Sequence, residues 1–380
     1  MGFEFGTAGR VVFGAGRAAS DLAALVAGLG SRPLVCTGAR PDRQAALLDA
    51  LPAHRAVFPV AGEPTVDVLR AAVAAGREHG ADVVVALGGG SAIDVAKAVA
   101  VLLRNAGDPV DYLPVPGPAR DPRPGVPCVA VPTTAGTGSE ATTNSVFAVP
   151  EHGVKVSMRS PVMLPAVALV DPLLTVGCPP AATASSGLDA LTQCLEPFVS
   201  VKANPVTDAL AREGLRRAAR GLRRVYADGT DVGARTDMAL CALLSGMALA
   251  NAKLGAVHGF ASVVGGLVAV PHGVACAALL VPVVEANVRA GAAPERYREA
   301  AGLLTGRPDA TVEDGWPGCG RPSPCSACPA WARSGCGRST PTRWSRRPRR
   351  PAVPRATRWY WARRSCTRSW RRPPRDPSSE

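Results

Sequence analysis

The sequence predicts a parallel α/β domain followed by an all-α domain, and three observations support this prediction. Short β-branched segments alternate with helical patterns over residues 1–178, as in a mostly parallel sheet with helices on both faces. Long helical patterns then follow one another over residues 179–315. With 380 residues, the chain has the length expected for about two hydrophobic cores.

Individual elements follow from local sequence patterns. Buried strands are predicted where apolar, mainly β-branched residues run together, at 33–37, 82–87, 127–131 and 166–170. Helices are predicted at 65–79 and 91–103, and a hairpin of 144–149 with 153–158 is expected at the edge of the sheet. In the second domain, segments of helical length with few turn signals occupy 181–200, 205–226, 235–252 and 272–290.

The last part of the chain, residues 316–380, has a different composition. It contains sixteen Arg, no Lys and only two acidic residues, so it accounts for the formal charge of +13. The remaining 27 basic and 28 acidic residues leave 1–315 nearly neutral. All six Trp lie in 316–380, but Leu, Ile, Phe and Met do not occur there. Such a segment cannot bury enough aliphatic surface to form a core, and we predict a disordered tail.

Three interpretations of this tail compete. The pair Cys325 and Cys328 favours a zinc site, and Arg interspersed with Trp and Tyr favours a nucleic-acid-binding protein. However, Arg without Lys, together with Trp, Cys, Pro and Ser, is typical of a GC-rich gene translated in the wrong frame. Shifting the codons of 316–320 by one base also yields an amphipathic, helix-like sequence. We therefore predict a frameshift product and expect no nucleic-acid partner.

Location is predicted from three features. The start, MGFEFGTAGR, lacks the basic and apolar regions of a secretory signal. The uncharged segment 254–284 is interrupted by two His, by Pro271 and by five Gly, which argues against a membrane span. Six Cys lie in apolar surroundings and are expected to be reduced: Cys36, Cys128, Cys178, Cys194, Cys241 and Cys276. These features predict a cytoplasmic protein without a membrane partner.

Two loops rich in Gly and hydroxyl groups follow predicted strands. The first contains Gly88, Gly89, Gly90 and Ser91 and leads into a helix with Asp94; the second contains Thr133, Thr134 and Thr137. Glycines let the backbone approach a pyrophosphate, and a helix N-terminus offers free N–H groups. Ordinary glycine-rich turns are the alternative for either loop alone. Because the carboxyl ends of parallel strands share one crevice, the two loops together predict a Rossmann-like dinucleotide-binding domain over 1–178.

The helical segments carry a candidate metal site. Asp189 and Gln193 are four residues apart and therefore project from one helical face. His258 and His272 lie in the same uncharged stretch, each next to a Gly. A single His in an apolar stretch is more often a core residue with a hydrogen-bond partner. Two of them with a buried Asp favour a bound cation, because a cation would satisfy all three.

Four segments resemble motifs of the iron-containing (group III) alcohol dehydrogenases, and the resemblance covers residues 1 to about 315. The segments are GGGSAIDVAK (88–97), PTTAGTGSEAT (132–142), GLDALTQCLEPFVS (187–200) and GAVHGFASVVGGLVAVPHG (255–273). The first two resemble the family's nucleotide-site signatures, and the last two resemble its metal-binding segments.

The resemblance implies an NAD(P) site in the first domain. It implies that Gly89, Gly90 and Ser91 hold the pyrophosphate, and that the threonines of the second loop and Lys155 lie near the ribose and adenine. NAD-preferring relatives commonly carry an Asp after the second strand, where this chain has Gly38. Without that carboxylate, and with Arg40 and Arg43 nearby, repulsion of a 2′-phosphate is removed, which favours NADP.

The resemblance also implies one divalent metal ion, iron or zinc, in the second domain. Asp189, His258 and His272 match the family's ligands, but Gln193 stands where relatives usually have His. Since an amide oxygen is a weaker ligand than imidazole, we expect weakened metal binding. Ser262 occupies the place of a proton-transfer His in many relatives, and its hydroxyl is a candidate catalytic group that relays a proton.

The predicted function is hydride transfer between NAD(P) and a small alcohol or aldehyde, in a homodimer. A maleylacetate reductase and a polyol dehydrogenase of the glycerol type are alternatives within the same superfamily. Asp189 argues against a maleylacetate reductase, in which the equivalent residue is often Asn. A nucleic-acid-binding protein acting through the Arg-rich tail is the alternative from another class.

Overall fold

The computed structural model describes residues 2–267 and 270–316, all of which belong to one compact unit. The predicted tail lies outside these residues except for Trp316, which is buried and makes an edge-to-face contact with Tyr297 at 6.0 Å between ring centroids. The predictions for the tail are therefore outside the described part of the chain.

A six-stranded, fully parallel sheet forms the N-terminal part. Its strands are β1 (Arg10–Phe13), β2 (Pro33–Gly38), β3 (Ala56–Val60), β4 (Val83–Gly88), β5 (Cys128–Pro132) and β8 (Val167–Val170). They are ordered β1-β8-β5-β4-β2-β3, so the chain reverses direction after β3 and returns past β2 to β4. Ligand crevices of open parallel sheets lie at such reversals.

The predicted hairpin forms, but its place in the fold differs from the prediction. β6 (Asn144–Val149) and β7 (Val154–Arg159) pair antiparallel as a separate two-stranded sheet. Its link with the N-terminal part includes a bridge between Thr65 and Ala148, so the hairpin is not an edge of the main sheet. The edge strands β1 and β3 were not predicted; both are short and partly exposed, so they lack a continuous apolar run.

Helices cover both faces of the sheet and then form the C-terminal part. The N-terminal helices are α1 (Arg17–Ala27), α2 (Ala45–Asp49), α3 (Val66–His79) and α4 (Gly90–Leu102). The C-terminal helices are α5 (Pro180–Phe198), α6 (Pro205–Ala227), α7 (Val232–Ala252), α8 (Ala256–Leu267), α9 (His272–Arg289), α10 (Pro294–Thr305) and α11 (Val312–Gly315). This confirms the predicted fold class, a parallel α/β part followed by a helical part.

Buried aliphatic residues explain why these layers pack. Leu22 and Val26 of α1 belong to one buried core cluster with Val35 of β2, and Leu69 of α3 belongs to another with Leu34. Helix α5 is buried along most of its length and forms the centre of the helical core. By length and composition, α7 and α9 would be able to cross a membrane, which is weak evidence because core helices pass the same test.

Candidate dinucleotide and metal site

The two predicted nucleotide loops lie side by side at the carboxyl end of the sheet. β4 and β5 are adjacent, with Gly88 paired to Pro132, and the Thr133 amide donates to the Gly88 carbonyl at 2.9 Å. A Cβ atom on Gly90 would come within 2.9 Å of Thr137 Oγ1. The glycines are therefore required where the second loop crosses the start of α4.

Several predicted cofactor residues share this crevice. Helix α4 begins at Gly90, after an extended Gly89, and its first residues are only partly buried. Thr134 Oγ1 lies 3.3 Å from the Cβ position of Gly89. A helix N-terminus with accessible N–H groups next to hydroxyl side chains is suited to bind a pyrophosphate. The structure brings together Gly88, Gly89, Gly90, Ser91, Thr133, Thr134 and Thr137.

Asp94 is placed differently from these loop residues. Its carboxylate is buried under the loops and accepts a hydrogen bond from the Val146 amide at 2.9 Å. Burial raises the pKa of the Asp94 carboxyl above its ordinary value, although Lys97 opposes this. Asp94 therefore faces the hairpin strand β6 rather than the free start of α4.

Lys97 of α4 forms buried hydrogen bonds to the second loop and to the residues that follow it. The ammonium is fully buried and donates to the Ser139 carbonyl at 2.9 Å, the Thr142 hydroxyl at 2.8 Å and the Asn144 carbonyl at 2.6 Å. Burial lowers the pKa of Lys97 to about 8, and it raises the pKa of the neighbouring Glu140 to about 7. Both groups change charge near neutral pH.

Gly38 ends β2 at the same edge of the sheet. A Cβ atom built there meets no other atom within 4 Å, so the position has room for a carboxylate. Arg40 and Arg43, which follow in the chain, are exposed. Lys155 lies on β7 and forms an ion pair with Glu63 at 2.9 Å.

Glycines allow the second loop to lie directly against the helical part. A Cβ atom on Gly136 would lie 2.7 Å from the Cβ of Ser186 in α5. Gly138 has a positive φ of 60°, and a Cβ atom on Gly246 in α7 would lie 2.2 Å from its carbonyl oxygen. The backbone of the loop therefore touches both helices directly. On α5 the contacted residue, Ser186, precedes Asp189 by three residues.

Asp189, His258 and His272 come together although three different helices carry them. His258 Nε2 lies 3.1 Å from Asp189 Oδ1, and His272 Nε2 lies 3.8 Å from the same oxygen. The two imidazole centroids are 5.4 Å apart. A Cβ atom on Gly273 would lie 2.4 Å from the Ser185 carbonyl, so this glycine permits the start of α9 to approach α5.

Glu196 orients His258 and was missed by the sequence analysis. Its carboxylate accepts from His258 Nδ1 at 2.6 Å and from the Val257 amide at 2.7 Å. A Cβ atom on Gly255 would lie 2.8 Å from Glu196 Oε1, so α8 begins directly on this carboxylate. Glu196 follows Asp189 by seven residues, and this helical spacing was the signal available in the sequence.

The charges of the cluster balance one another. Burial acts to raise the pKa of the Asp189 carboxyl, but the hydrogen bond from His258 and both imidazoles outweigh burial and lower it. Burial opposes a charged His258, yet its hydrogen bonds to Asp189, Cys276 and Glu196 raise its pKa well above the ordinary value. Burial lowers the pKa of His272.

Gln193 and Ser262 lie next to this cluster. The Oε1 atom of Gln193 accepts from Ser245 Oγ at 3.4 Å. The Ser262 hydroxyl donates to the His258 carbonyl at 2.9 Å, one turn back along α8, and the side chain is only partly buried.

A fourth potential ligand, Cys276, was predicted only as a reduced, buried thiol. Its Sγ is one of four ligand atoms, with those of Asp189, His258 and His272, that all lie within 4.8 Å of one another. A carboxylate, two imidazoles and a thiol in a buried cluster fit a divalent transition-metal ion. Burial raises the pKa of the Cys276 thiol. The other five predicted thiols are also free.

The structure thus belongs to the class of α/β proteins in which a parallel sheet with glycine-rich loops contacts a helical part, here one that carries a candidate metal-ligand cluster. Two family models match: iron-containing alcohol dehydrogenase over residues 8–172, and the C-terminal part of the Fe-containing alcohol dehydrogenase family over residues 183–317. The chain belongs to the iron-containing alcohol dehydrogenase family.

Individual relatives agree with this assignment. The chain is 44% identical over 225 residues to alcohol dehydrogenase 4 of Saccharomyces cerevisiae, covering 59% of this chain and 58% of the relative. It is 43% identical over 236 residues to 1,3-propanediol dehydrogenase of Klebsiella pneumoniae, covering 62% and 60%. The matched part thus spans about three fifths of the length of these curated relatives.

Solved structures share the fold. A crystal structure of 1,3-propanediol oxidoreductase has a TM-score of 0.73 and 35% identity, covering 83% of this chain and 84% of that one. Sulfoacetaldehyde reductase from Bifidobacterium kashiwanohense, in complex with NAD+, has a TM-score of 0.74 and 29% identity, with coverages of 83% and 84%.

Proposed function

We propose that this chain is a metal-dependent oxidoreductase that transfers hydride between NAD(P) and a small alcohol or aldehyde. The contact of Gly136 with Ser186 carries the proposal, because it joins the loop that would bind the cofactor to α5 just before Asp189. The relatives include alcohol and propanediol dehydrogenases and a sulfoacetaldehyde reductase, and their names support a small hydroxyl or carbonyl substrate.

The loops at the carboxyl end of the sheet would bind the cofactor. Gly89, Gly90 and Ser91 offer backbone N–H groups at the start of α4 for the pyrophosphate. The hydroxyls of Thr133, Thr134 and Thr137 would contact the ribose or adenine, with Lys155 nearby on β7. Gly88 allows the close approach of the β2 and β4 ends, and a Cβ there would lie 3.0 Å from the Gly38 amide. Asp94 would act from below the loop by holding β6.

The open space at Gly38 favours NADP(H) over NAD(H). A carboxylate at this position would accept from the ribose 2′-hydroxyl and repel a 2′-phosphate. This chain has no side chain there, and exposed Arg40 and Arg43 supply positive charge close by in sequence.

Asp189, His258 and His272 would hold one divalent ion, iron or zinc, with Gln193 beside them. Such an ion supplies Lewis acidity, which polarises a carbonyl or stabilises an alkoxide. Glu196 fixes the ring of His258 so that Nε2 points to Asp189. The partly exposed Ser262 hydroxyl, one turn from His258, would relay the substrate proton to solvent.

Steady-state kinetics test the proposal. The metal-loaded protein is assayed with NAD(P)+ and 1-propanol, 1,3-propanediol and glycerol, and with NAD(P)H and the corresponding aldehydes and maleylacetate. We expect turnover of small alcohols and aldehydes, at a low level in the chain as written and at a higher level in a protein with the reading frame of 316–380 restored. Absence of turnover with all of them, in a folded and metal-loaded protein, would refute the function. Analytical ultracentrifugation tests the expected homodimer, and limited proteolysis tests the proposed domain boundary near residue 178.

A further inference from the structure

Cys276 lies on the same face of α9 as His272, one turn further along the helix. Its side chain is buried, and its Sγ lies 3.6 Å from His272 Nε2. All of these atoms and the Asp189 carboxylate fall within the 4.8 Å cluster. Cys276 is therefore aimed at the same point as the three residues proposed to hold the ion.

Gln193 is oriented differently. Its carbonyl oxygen, the atom that would bind a cation, accepts a hydrogen bond from Ser245 Oγ at 3.4 Å. A neutral amide oxygen is also a weaker ligand for a transition-metal ion than a thiolate. The thiol of Cys276 is therefore the better candidate for the fourth place in the ligand set.

We propose that Cys276 supplies the fourth protein ligand and that the site is an Asp/His/His/Cys zinc site. This inference rests on the proposed metal-dependent function. On binding, the Cys276 S–H bond breaks, its proton passes to solvent, and the thiolate forms a bond to the ion. The two negative charges of Asp189 and the thiolate then balance the 2+ charge. A soft thiolate favours zinc over harder ions that prefer oxygen ligands.

Three of the six ligand-atom distances are close to those around a tetrahedral ion. Metal–ligand bonds of about 2.0–2.3 Å place neighbouring ligand atoms about 3.3–3.8 Å apart. The separations of Asp189 from His258, of Asp189 from His272 and of His272 from Cys276 are 3.1, 3.8 and 3.6 Å. The other three pairs lie within 4.8 Å, so the side chains would move closer together around an ion.

Buried cysteines more often serve packing alone, and the chain contains suitable controls for that possibility. Cys194 and Cys241 are buried in the same helical core, with their sulfur atoms 4.0 Å apart. Cys194 also contacts the Cys241 carbonyl. Replacing Cys194 by Ser therefore perturbs a core thiol without touching the proposed ligand set.

Cobalt substitution tests the ligand directly. The full chain is purified anaerobically, stripped of metal, freed of added thiols and loaded with Co2+. We expect an intense near-ultraviolet sulfur-to-cobalt charge-transfer band in the unmodified protein and in Cys194→Ser. Cys276→Ser should lack the band. Absence of the band in the unmodified protein would overturn the proposal, whether or not any variant folds.

Zinc affinity, measured by competition with a chromophoric chelator, gives a second readout. Cys276→Ser should weaken binding by more than about 100-fold, since removing even an outer-shell partner typically costs 10–100-fold. Gln193→Ala should weaken it by less than Cys276→Ser does, and Gln193→His combined with Cys276→Ser should recover most of the loss. If Gln193→Ala abolishes binding and Cys276→Ser does not, Gln193 is the ligand.

These measurements also separate the ligand from the function. A protein whose cobalt–sulfur band is lost in Cys276→Ser, but which turns over no alcohol or aldehyde, would refute the proposed activity and leave the ligand set intact. A protein that is active but lacks the band would refute Cys276 as a ligand.

Discussion

Glu196 Oε2 lies 2.6 Å from His258 Nδ1, and the other oxygen of the same carboxylate accepts from the Val257 amide. One side chain therefore sets both the imidazole orientation and the position at which α8 begins. Such carboxylate–histidine pairs fix the tautomer of metal-binding imidazoles.

Replacing Glu196 by Gln should weaken metal binding by about 10–100-fold, because the neutral amide holds the His258 ring less strongly. The amide oxygen can still accept from Val257, so the helix start should be preserved. Chelator competition measures the affinity, and circular dichroism checks the fold. Exposed Glu151 on the hairpin turn, changed to Gln, is the matched control. Unchanged affinity in Glu196→Gln would contradict the positioning role.

Gly38→Asp should shift cofactor preference from NADP(H) towards NAD(H). The new carboxylate has room and would repel the 2′-phosphate. The measurement is kcat/KM for each cofactor in both proteins, with neutral Gly38→Asn as the control. A tenfold preference of the unmodified enzyme for NAD(H) would show that Gly38 does not determine selectivity.

His272→Ala should abolish activity, since the imidazole belongs to the proposed ligand set. Exposed His152, changed to Ala, should leave activity unaltered. Full activity of His272→Ala, measured by cofactor absorbance, would exclude His272 from the site.

Glu140→Gln should flatten the pH dependence of stability. The folded-state pKa of Glu140 is about 7, above its ordinary value of 4.5. The protonated Glu140 carboxyl therefore stabilises the folded state fully below pH 4.5. This stabilisation, about 3 kcal/mol, is lost as the pH rises through about 7. Denaturant unfolding at pH 5 and pH 8 should show this loss in the unmodified protein and a smaller one in Glu140→Gln. If the free energy of unfolding changes equally with pH in the two proteins, Glu140 does not cause the pH dependence.

The chain as written should aggregate or show little activity. Phe260 and Val263 on α8 are 55% and 48% exposed, and the family match stops at residue 317. If 316–380 is a frameshift product, restoring the frame should give a soluble, active enzyme, and deleting 317–380, which keeps the buried Trp316, should make matters no worse. Size-exclusion chromatography of the three proteins provides the comparison. A stable, active protein with the present tail would overturn the frameshift interpretation.

Sequence patterns predicted the elements that are long or fully buried. The strands β2, β4, β5 and β8 were found because both of their faces are covered, so their residues are apolar throughout. The two loops were expected to share one crevice because the carboxyl ends of parallel strands lie at the same edge of a sheet. The detached hairpin was not expected, because local pattern cannot tell which sheet a strand joins.

Candidate site residues were predictable only where a motif marked them. Asp189, His258 and His272 stand out as polar residues in apolar helices. Glu196 and Cys276 do not stand out. An exposed carboxylate on a helix, or a thiol that serves packing alone, would have similar sequence around it. Their roles depend on which helices meet, and that is decided by long-range packing at Gly255 and Gly273.

The backbone contact of Gly138 with Gly246 sets a distance as well as a fold. Hydride transfer requires the reacting atoms to be held close together, and in the proposed enzyme this contact would help to hold the cofactor loop against the helical part. A methyl group at Gly246 would meet the Gly138 carbonyl oxygen at 2.2 Å and force these two segments apart. In a hydride-transfer enzyme, such a separation would appear first in the deuterium isotope effect and its temperature dependence.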